Sequence, residues 1–310
     1  AMANCLMLDC CDKILRESRH LNPALPFGGI RFIGCGDFHQ IPPVIPTATP
    51  EQIITKTVLY SKVWSHFDIV VLHKPQRDKD ALIHSQFVDK VGRDECARVP
   101  HPLHTNLIAL ENFEVTTDVQ KAIHHTFPLS DPSSLVDPLR AIITTHNDSV
   151  DQLNAQVLEQ LTTPLETLRS EDKLEEELSW NNKHNFLHTD FLNSVRTNPA
   201  SQPPHELHLK VGAMVMIMRN ISRKHRLMNG TRVKVVQILA YTIVVETLDT
   251  KQVHTIFRFL FRIRLRNIGV TIIRRQFPLR VAYAMTVHKC QGMTLTHVTL
   301  DVRRQPFSHG

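Results

Sequence analysis

Cysteine is sparse and scattered. The six cysteines (Cys5, Cys10, Cys11, Cys35, Cys96 and Cys290) form no paired C-x-x-C units, which argues against a disulfide scaffold or structural zinc and favours a reducing compartment. No apolar run approaches the roughly 18 residues needed to cross a bilayer. The opening stretch AMANCLMLDCCDK lacks the order of basic, apolar and cleavage regions of a signal peptide, so a soluble intracellular protein without membrane contact is expected. Aromatic residues make up only 6%, too few for extensive stacking on nucleic-acid bases. G-x-S-x-G and H-E-x-x-H are absent, which leaves serine and zinc hydrolase chemistry little support. Also absent are a G-x-x-x-x-G-K-[ST] loop to cradle phosphates and a strand-end Asp-Glu pair to hold magnesium.

What is present is a globular composition, with 42% hydrophobic and 21% charged residues over 310 positions, enough for about two domains. The net charge of +6 hides an asymmetry. Residues 207–310 carry 18 Lys and Arg against 3 Asp and Glu, or +15, and the remainder carries 18 against 27, or −9. Such a basic third attracts a polyanion.

Helical spacing runs from Leu6 to Glu17 and across ALIHSQFVDKV. Short apolar runs at Ile30–Asp37, Phe67–His73 and Arg140–Asp148 read as buried parallel strands, the last followed by a helix that Asn147 or Ser149 can cap. Repeated strand, polar turn and helix is an α/β signature, with sites at strand ends. The acidic stretch from Leu165 to Pro204 reads as a peripheral extension. Beyond it the period becomes that of short strands, and HTIFRFLFRIRLR alternates apolar with basic residues, either as a solvated sheet face or as one that meets nucleic acid.

Two segments carry the chemistry. In GDFHQIPPV, Gly36 to Val44, Asp37 can orient water or a cation shell and Gln40 can report the position of an anion, although both also suit an ordinary loop. In Arg274–Leu295, Thr286, His288, Lys289 and the Gln291–Gly292 turn can present donors to a phosphodiester, or can cap a helix after a buried strand. The first segment resembles motif III of the superfamily 1B DNA helicases, the Pif/RecD-like group, with Ile41 in place of the usual leucine. The second resembles motif V, closest to Helitron-type eukaryotic members, with Cys290 where serine is usual. VVLHKPQR resembles motif IV, with Arg77 at its arginine; AIITTHNDSVDQLN, with Asn147 and Asn154, resembles the strand and helix of the second motor domain. Leu209–Val236 resembles the small β domain inserted there.

The resemblance implies a partial RecA-like P-loop NTPase core of α/β class with a small SH3-like β insertion. The expected parts are 1–66 (end of the first motor domain), 67–204 (start of the second, with the acidic segment), 205–273 (β insertion) and 274–310 (return of the second). It implies a 5′-to-3′ ATP-dependent DNA helicase using ATP and Mg2+ on single-stranded and forked DNA. The expected protein is monomeric and nuclear, with the mitochondrion as a second location, and serves repair, recombination, telomere maintenance or transposition. By resemblance Gly36, Gln40, Arg77 and Gly292 serve the nucleotide, Asp37 shapes the loop, and Asn147, Thr286, His288, Lys289 and Gln291 meet DNA; no protein metal ligand is expected. With no phosphate loop in the sequence, the chain is expected to be the interior of such a core, poor in ATP turnover by itself. The competing readings are a nucleic-acid-binding module without ATPase activity and a protein scaffold built on Glu171–Glu177.

Overall fold

Apolar residues that alternate with nothing polar need cover on both sheet faces, and Ala141–Ile143 find it in the middle of the chain. The structure, a computed structural model, describes residues 3–18, 22–45, 48–72, 82–100, 102, 107–110, 113–175, 186–195, 202–265 and 269–304. Residues 1–115 form one compact unit and residues 116–306 a second.

The first unit contains α1 (Cys5–Ser18), α2 (Pro50–Ile54) and α3 (Leu82–Gly92), joined by short 3-10 turns. Polar groups of α1 hold the following loops: Asp12 Oδ1 accepts from the Phe27 N–H at 2.6 Å, and Asp9 Oδ1 accepts from Ser61 Oγ at 2.5 Å and the Lys62 N–H at 3.0 Å. Phe27 stacks on Phe32 at 4.3 Å, and Phe67 meets both edge-on.

Two expected strands do not form here. Ile30–Asp37 and the described part of the second run, 67–72, are strandless and exposed, Ile33 at 79% and Leu72 at 90%. A buried parallel strand exists only where neighbours accept its backbone bonds and helices cover its faces. Among the described residues no strand pairs with either run.

The second unit runs α4 (Val119–Thr126), β1 (Arg140–Thr144), α5 (Asn147–Glu159), β2 (Glu166–Arg169), β3 (Glu171–Leu174), α6 (Thr189–Ser194), β4 (Glu206–Leu209), β5 (Met214–Ile217), β6 (Arg232–Ile238), β7 (Thr242–Thr247), β8 (Val253–Phe257), β9 (Phe259–Leu265), β10 (Val270–Gln276), β11 (Leu279–Val281), β12 (Ala284–Thr286), α7 (Val287–Cys290) and β13 (His297–Asp301). A parallel sheet in the order β12-β1-β13 has β1 at its centre, with Ile142 opposite both Ala284 and Thr299. The other sheets are antiparallel: β11-β5-β6-β7-β8, β3-β10-β9 and β2-β4. One core spans both architectures, with Ile142, Leu153 and Val157 continuous with Met214, Val233, Val245 and Tyr283. Burial pushes the Tyr283 hydroxyl up to about 12, and its oxygen accepts from the Met214 N–H at 3.1 Å.

The acidic stretch expected at the periphery is partly woven into the β structure. β2 pairs with β4 and β3 with β10. Asp172 and Arg274 are each 1% exposed and form a two-pronged ion pair; the guanidinium also donates to the Pro203 and Leu192 carbonyls, and His205 Nδ1 lies 2.8 Å from the carboxylate. A charge pair is tolerated at such depth only when its hydrogen-bonding capacity is filled, as it is here. The same acidic stretch tempers the basic strands: Glu175 pairs with Arg262 on β9 and Glu171 with Arg275 on β10.

Candidate nucleic-acid interface

Helix α5 begins at Asn147, with His146 as its cap and no side-chain capping bond, so neither Asn147 nor Ser149 takes the expected cap role. Asn147, Asp151 and Asn154 recur at helical spacing and share one face. All three address the segment that enters motif V. Asn154, 4% exposed, donates from Nδ2 to the Ala284 carbonyl at 3.1 Å and accepts on Oδ1 from the Tyr283 and Ala284 N–H groups at 2.9 and 2.8 Å. Asp151 holds the Arg280 guanidinium in an ion pair at 2.5 Å. Asn147 lines a recess together with Arg280, Thr286 and Lys289, above an apolar floor that includes Val150, Met216, Met218 and Met285.

The donors at this recess are an amide, a hydroxyl, an ammonium and a guanidinium, and no carboxylate lines it. With these donors and no carboxylate among its described lining residues, the recess suits a phosphate oxygen. Burial, and then the nearby Arg280 charge, push the Lys289 ammonium below the usual lysine range. An anion reverses both penalties, since it supplies the countercharge that desolvation removed.

The remaining expected residues divide. Gln291 closes the single turn of α7, and Gly292 follows at φ +82° with open space around it, so its need is conformational rather than steric. The His288 ring does not line the recess; its buried Nε2 has no partner among the described residues. The Cys290 thiol donates to the Val287 carbonyl at 3.0 Å, inside its own turn, and burial pushes its pKa up. In the first unit, Gly36 is exposed and Asp37 organises the loop after it, accepting from the His39 N–H at 2.9 Å and Gln40 Nε2 at 3.3 Å. Arg77 lies outside the described residues. Among the described residues no group of three or more His, Cys, Asp or Glu is placed to share a metal, and no helix is long and apolar enough to cross a membrane.

Sequence reasoning missed Arg280 and Asp151. The signal for Arg280 was there: it is the lone charge in the otherwise apolar run Pro278–Met285. Asp151 carried none, because a carboxylate on a helix face acquires its partner only by folding.

Two solved structures share the fold. One, of two Pif1 helicases coordinating at forked double-stranded DNA, is 20% identical, with 98% of this chain and 61% of that chain covered at a TM-score of 0.65. The other, Bacteroides Pif1 bound to single-stranded DNA, is 21% identical, with 99% and 63% covered at 0.62. The fold is the mixed α/β one of these RecA-like cores. Residues 1–93 match the PIF1-like helicase family, and residues 190–238 match the 2B domain of DNA helicase Pif1. The chain is 28% identical to human ATP-dependent DNA helicase PIF1 over 98% of its own length and 41% of the relative. It is 27% identical to the Xenopus laevis PIF1 over 90% and 38%, and 28% identical to the Bdellovibrio bacteriovorus Pif1 over 93% and 54%. The chain is thus similar to PIF1-like helicases in two separate segments, 1–93 and 190–238. It spans about two fifths of the length of these vertebrate relatives.

Proposed function

We propose that these residues serve an ATP-dependent DNA helicase, and that the recess between α5 and α7 grips the phosphodiester backbone of a single strand. The observation that carries this reading is the meeting of Asn147, Thr286, Lys289 and Arg280 around one recess with no carboxylate among its described lining residues. Such a site holds DNA without reading its sequence. A monomer as the binding unit belongs to the same proposal. Single-stranded and forked DNA are the proposed substrates.

The nucleotide side is a different matter. The residues present do not fit a complete ATP and Mg2+ site: the sequence holds no phosphate-cradling loop and no magnesium-binding Asp-Glu pair, and the Gln40 amide is engaged by Asp37. We therefore place ATP hydrolysis in the whole helicase and derive no step of it from these residues. A 5′-to-3′ direction, a nuclear or mitochondrial setting, and work in repair, recombination, telomere maintenance or transposition belong to the same proposal. The Helitron-type kinship rests on the Arg274–Leu295 segment alone.

Fluorescence anisotropy with single-stranded oligonucleotides of unrelated sequence tests the DNA-binding part. Similar affinities for all of them, falling steeply with salt, are expected. Binding to one sequence that hardly responds to salt would sink it. A passive nucleic-acid-binding module is the second reading, favoured by the missing phosphate loop, and phosphate release separates the two.

A further inference from the structure

Many of the cations in the second unit are engaged within the fold. Arg262, Arg274 and Arg275 face Glu175, Asp172 and Glu171, while Arg232 and Arg258 donate to backbone carbonyls. Adjacent exceptions stand on one turn. Arg223 and Lys224 are exposed, and among the described residues neither side chain has a carboxylate or carbonyl partner.

The turn is built to hold its shape. Ser222 and Leu227 exchange backbone bonds at 2.9 and 3.1 Å, Arg226 takes a left-handed φ of +55°, and its carbonyl accepts from Thr231 Oγ1 at 3.0 Å. Leu227 is buried beneath, His225 packs on His254 at 5.1 Å between ring centres, and Arg226 pairs with Asp249 at 3.2 Å. Among the described residues, the carboxylate that meets the turn, Asp249, is thus already engaged by Arg226.

We infer that the Ser222–Leu227 turn is a second contact for the phosphodiester backbone of nucleic acid, separate from the recess, with Arg223 and Lys224 as its ligands. A protein partner needs apolar anchors to bind, and the tip offers only Ser222, Arg223, Lys224, His225 and Arg226. Phosphates need only cations that shed little solvent and release condensed counterions. A preformed turn also lowers the entropy lost on binding.

The test uses the 310-residue chain and single-stranded DNA across a salt series, with Arg223→Ser, Lys224→Ser and their double variant. Arg264→Ser serves as the matched control, an exposed cation on β9 with no acidic partner among the described residues. Each turn variant should lower the slope of log affinity against log salt by about 0.7, the double by about twice that, and the control by clearly less. No change in the double variant overturns the inference. So does an equal change in Arg264→Ser, which would show a diffuse field rather than a contact. A polyglutamate peptide that binds as tightly as DNA and loses as much in the double variant would assign the turn to an acidic protein instead. Lys289→Ala, read in parallel, reports on the recess, so failure of either site is seen independently of the other.

Discussion

The side-chain amide of Asn154 is bonded to both backbone groups of Ala284, from Nδ2 to the carbonyl at 3.1 Å and to Oδ1 from the N–H at 2.8 Å. A helix side chain here does the work of a neighbouring strand. It fixes the entry to β12 two residues before Thr286, and so sets where the donors of α7 stand.

Asn154→Asp should therefore be worse than Asn154→Ala. The alanine leaves buried donors and an acceptor unmatched, at about 1–3 kcal/mol. The aspartate can still accept from the two N–H groups but sets a buried negative charge against the Ala284 carbonyl, which adds a desolvation cost. Urea midpoints compare the two, and an Asp variant as stable as wild type would contradict the clamp.

Lys289→Ala should weaken single-stranded DNA binding more than loss of a typical surface cation, and the difference should shrink at high salt. Its pH dependence has a definite sign. Because burial and Arg280 lower the Lys289 pKa, the free-protein ammonium loses its proton below the usual lysine range. The Lys289-dependent part of affinity should then fall as pH rises, ahead of the loss of charge by surface lysines, which titrate at about 10.4. Anisotropy titrations of wild type and Lys289→Ala at rising pH measure it.

Asp151 restrains Arg280, so its two variants should act in opposite directions. Asp151→Asn releases the guanidinium and should tighten DNA binding, whereas Arg280→Ala should loosen it. Stability should move little, by roughly 0–1 kcal/mol, because the carboxylate is substantially exposed. Affinity that falls in both variants would show that the pair serves the fold instead.

Asp172→Asn strands the buried Arg274 charge and should cost about 3–5 kcal/mol. Replacing both members with apolar residues of similar volume should recover much of that loss, since no charge is then left unpaired. Thermal unfolding of the single and double variants gives the comparison.

Phosphate release by the 310-residue chain, with and without single-stranded DNA, should stay at the level of a blank, because Gln40 can sense only a phosphate that a glycine-rich loop has already placed. Robust release that disappears in Gln40→Ala would reveal an ATP site built from other residues.

Local pattern by itself determined a good deal of this protein. The helices at Cys5–Ser18 and Leu82–Gly92, the strand at Arg140–Thr144, and the turn to β structure after Pro204 all follow from spacing and short-range chemistry. So did the residues of motif V, whose types suit a phosphate wherever they stand. Ile30–Asp37 and Phe67–His73 have the composition of strands as well, yet composition cannot supply the neighbours a sheet requires, and their described residues stay open. Only the tertiary structure decided which charges are available. In sequence the last third reads as +15, whereas in the fold Glu171, Asp172 and Glu175 arrive from the acidic stretch and occupy its arginines. Electrostatic energy depends on distance through space, and strand pairing sets that distance between residues about a hundred positions apart in the chain.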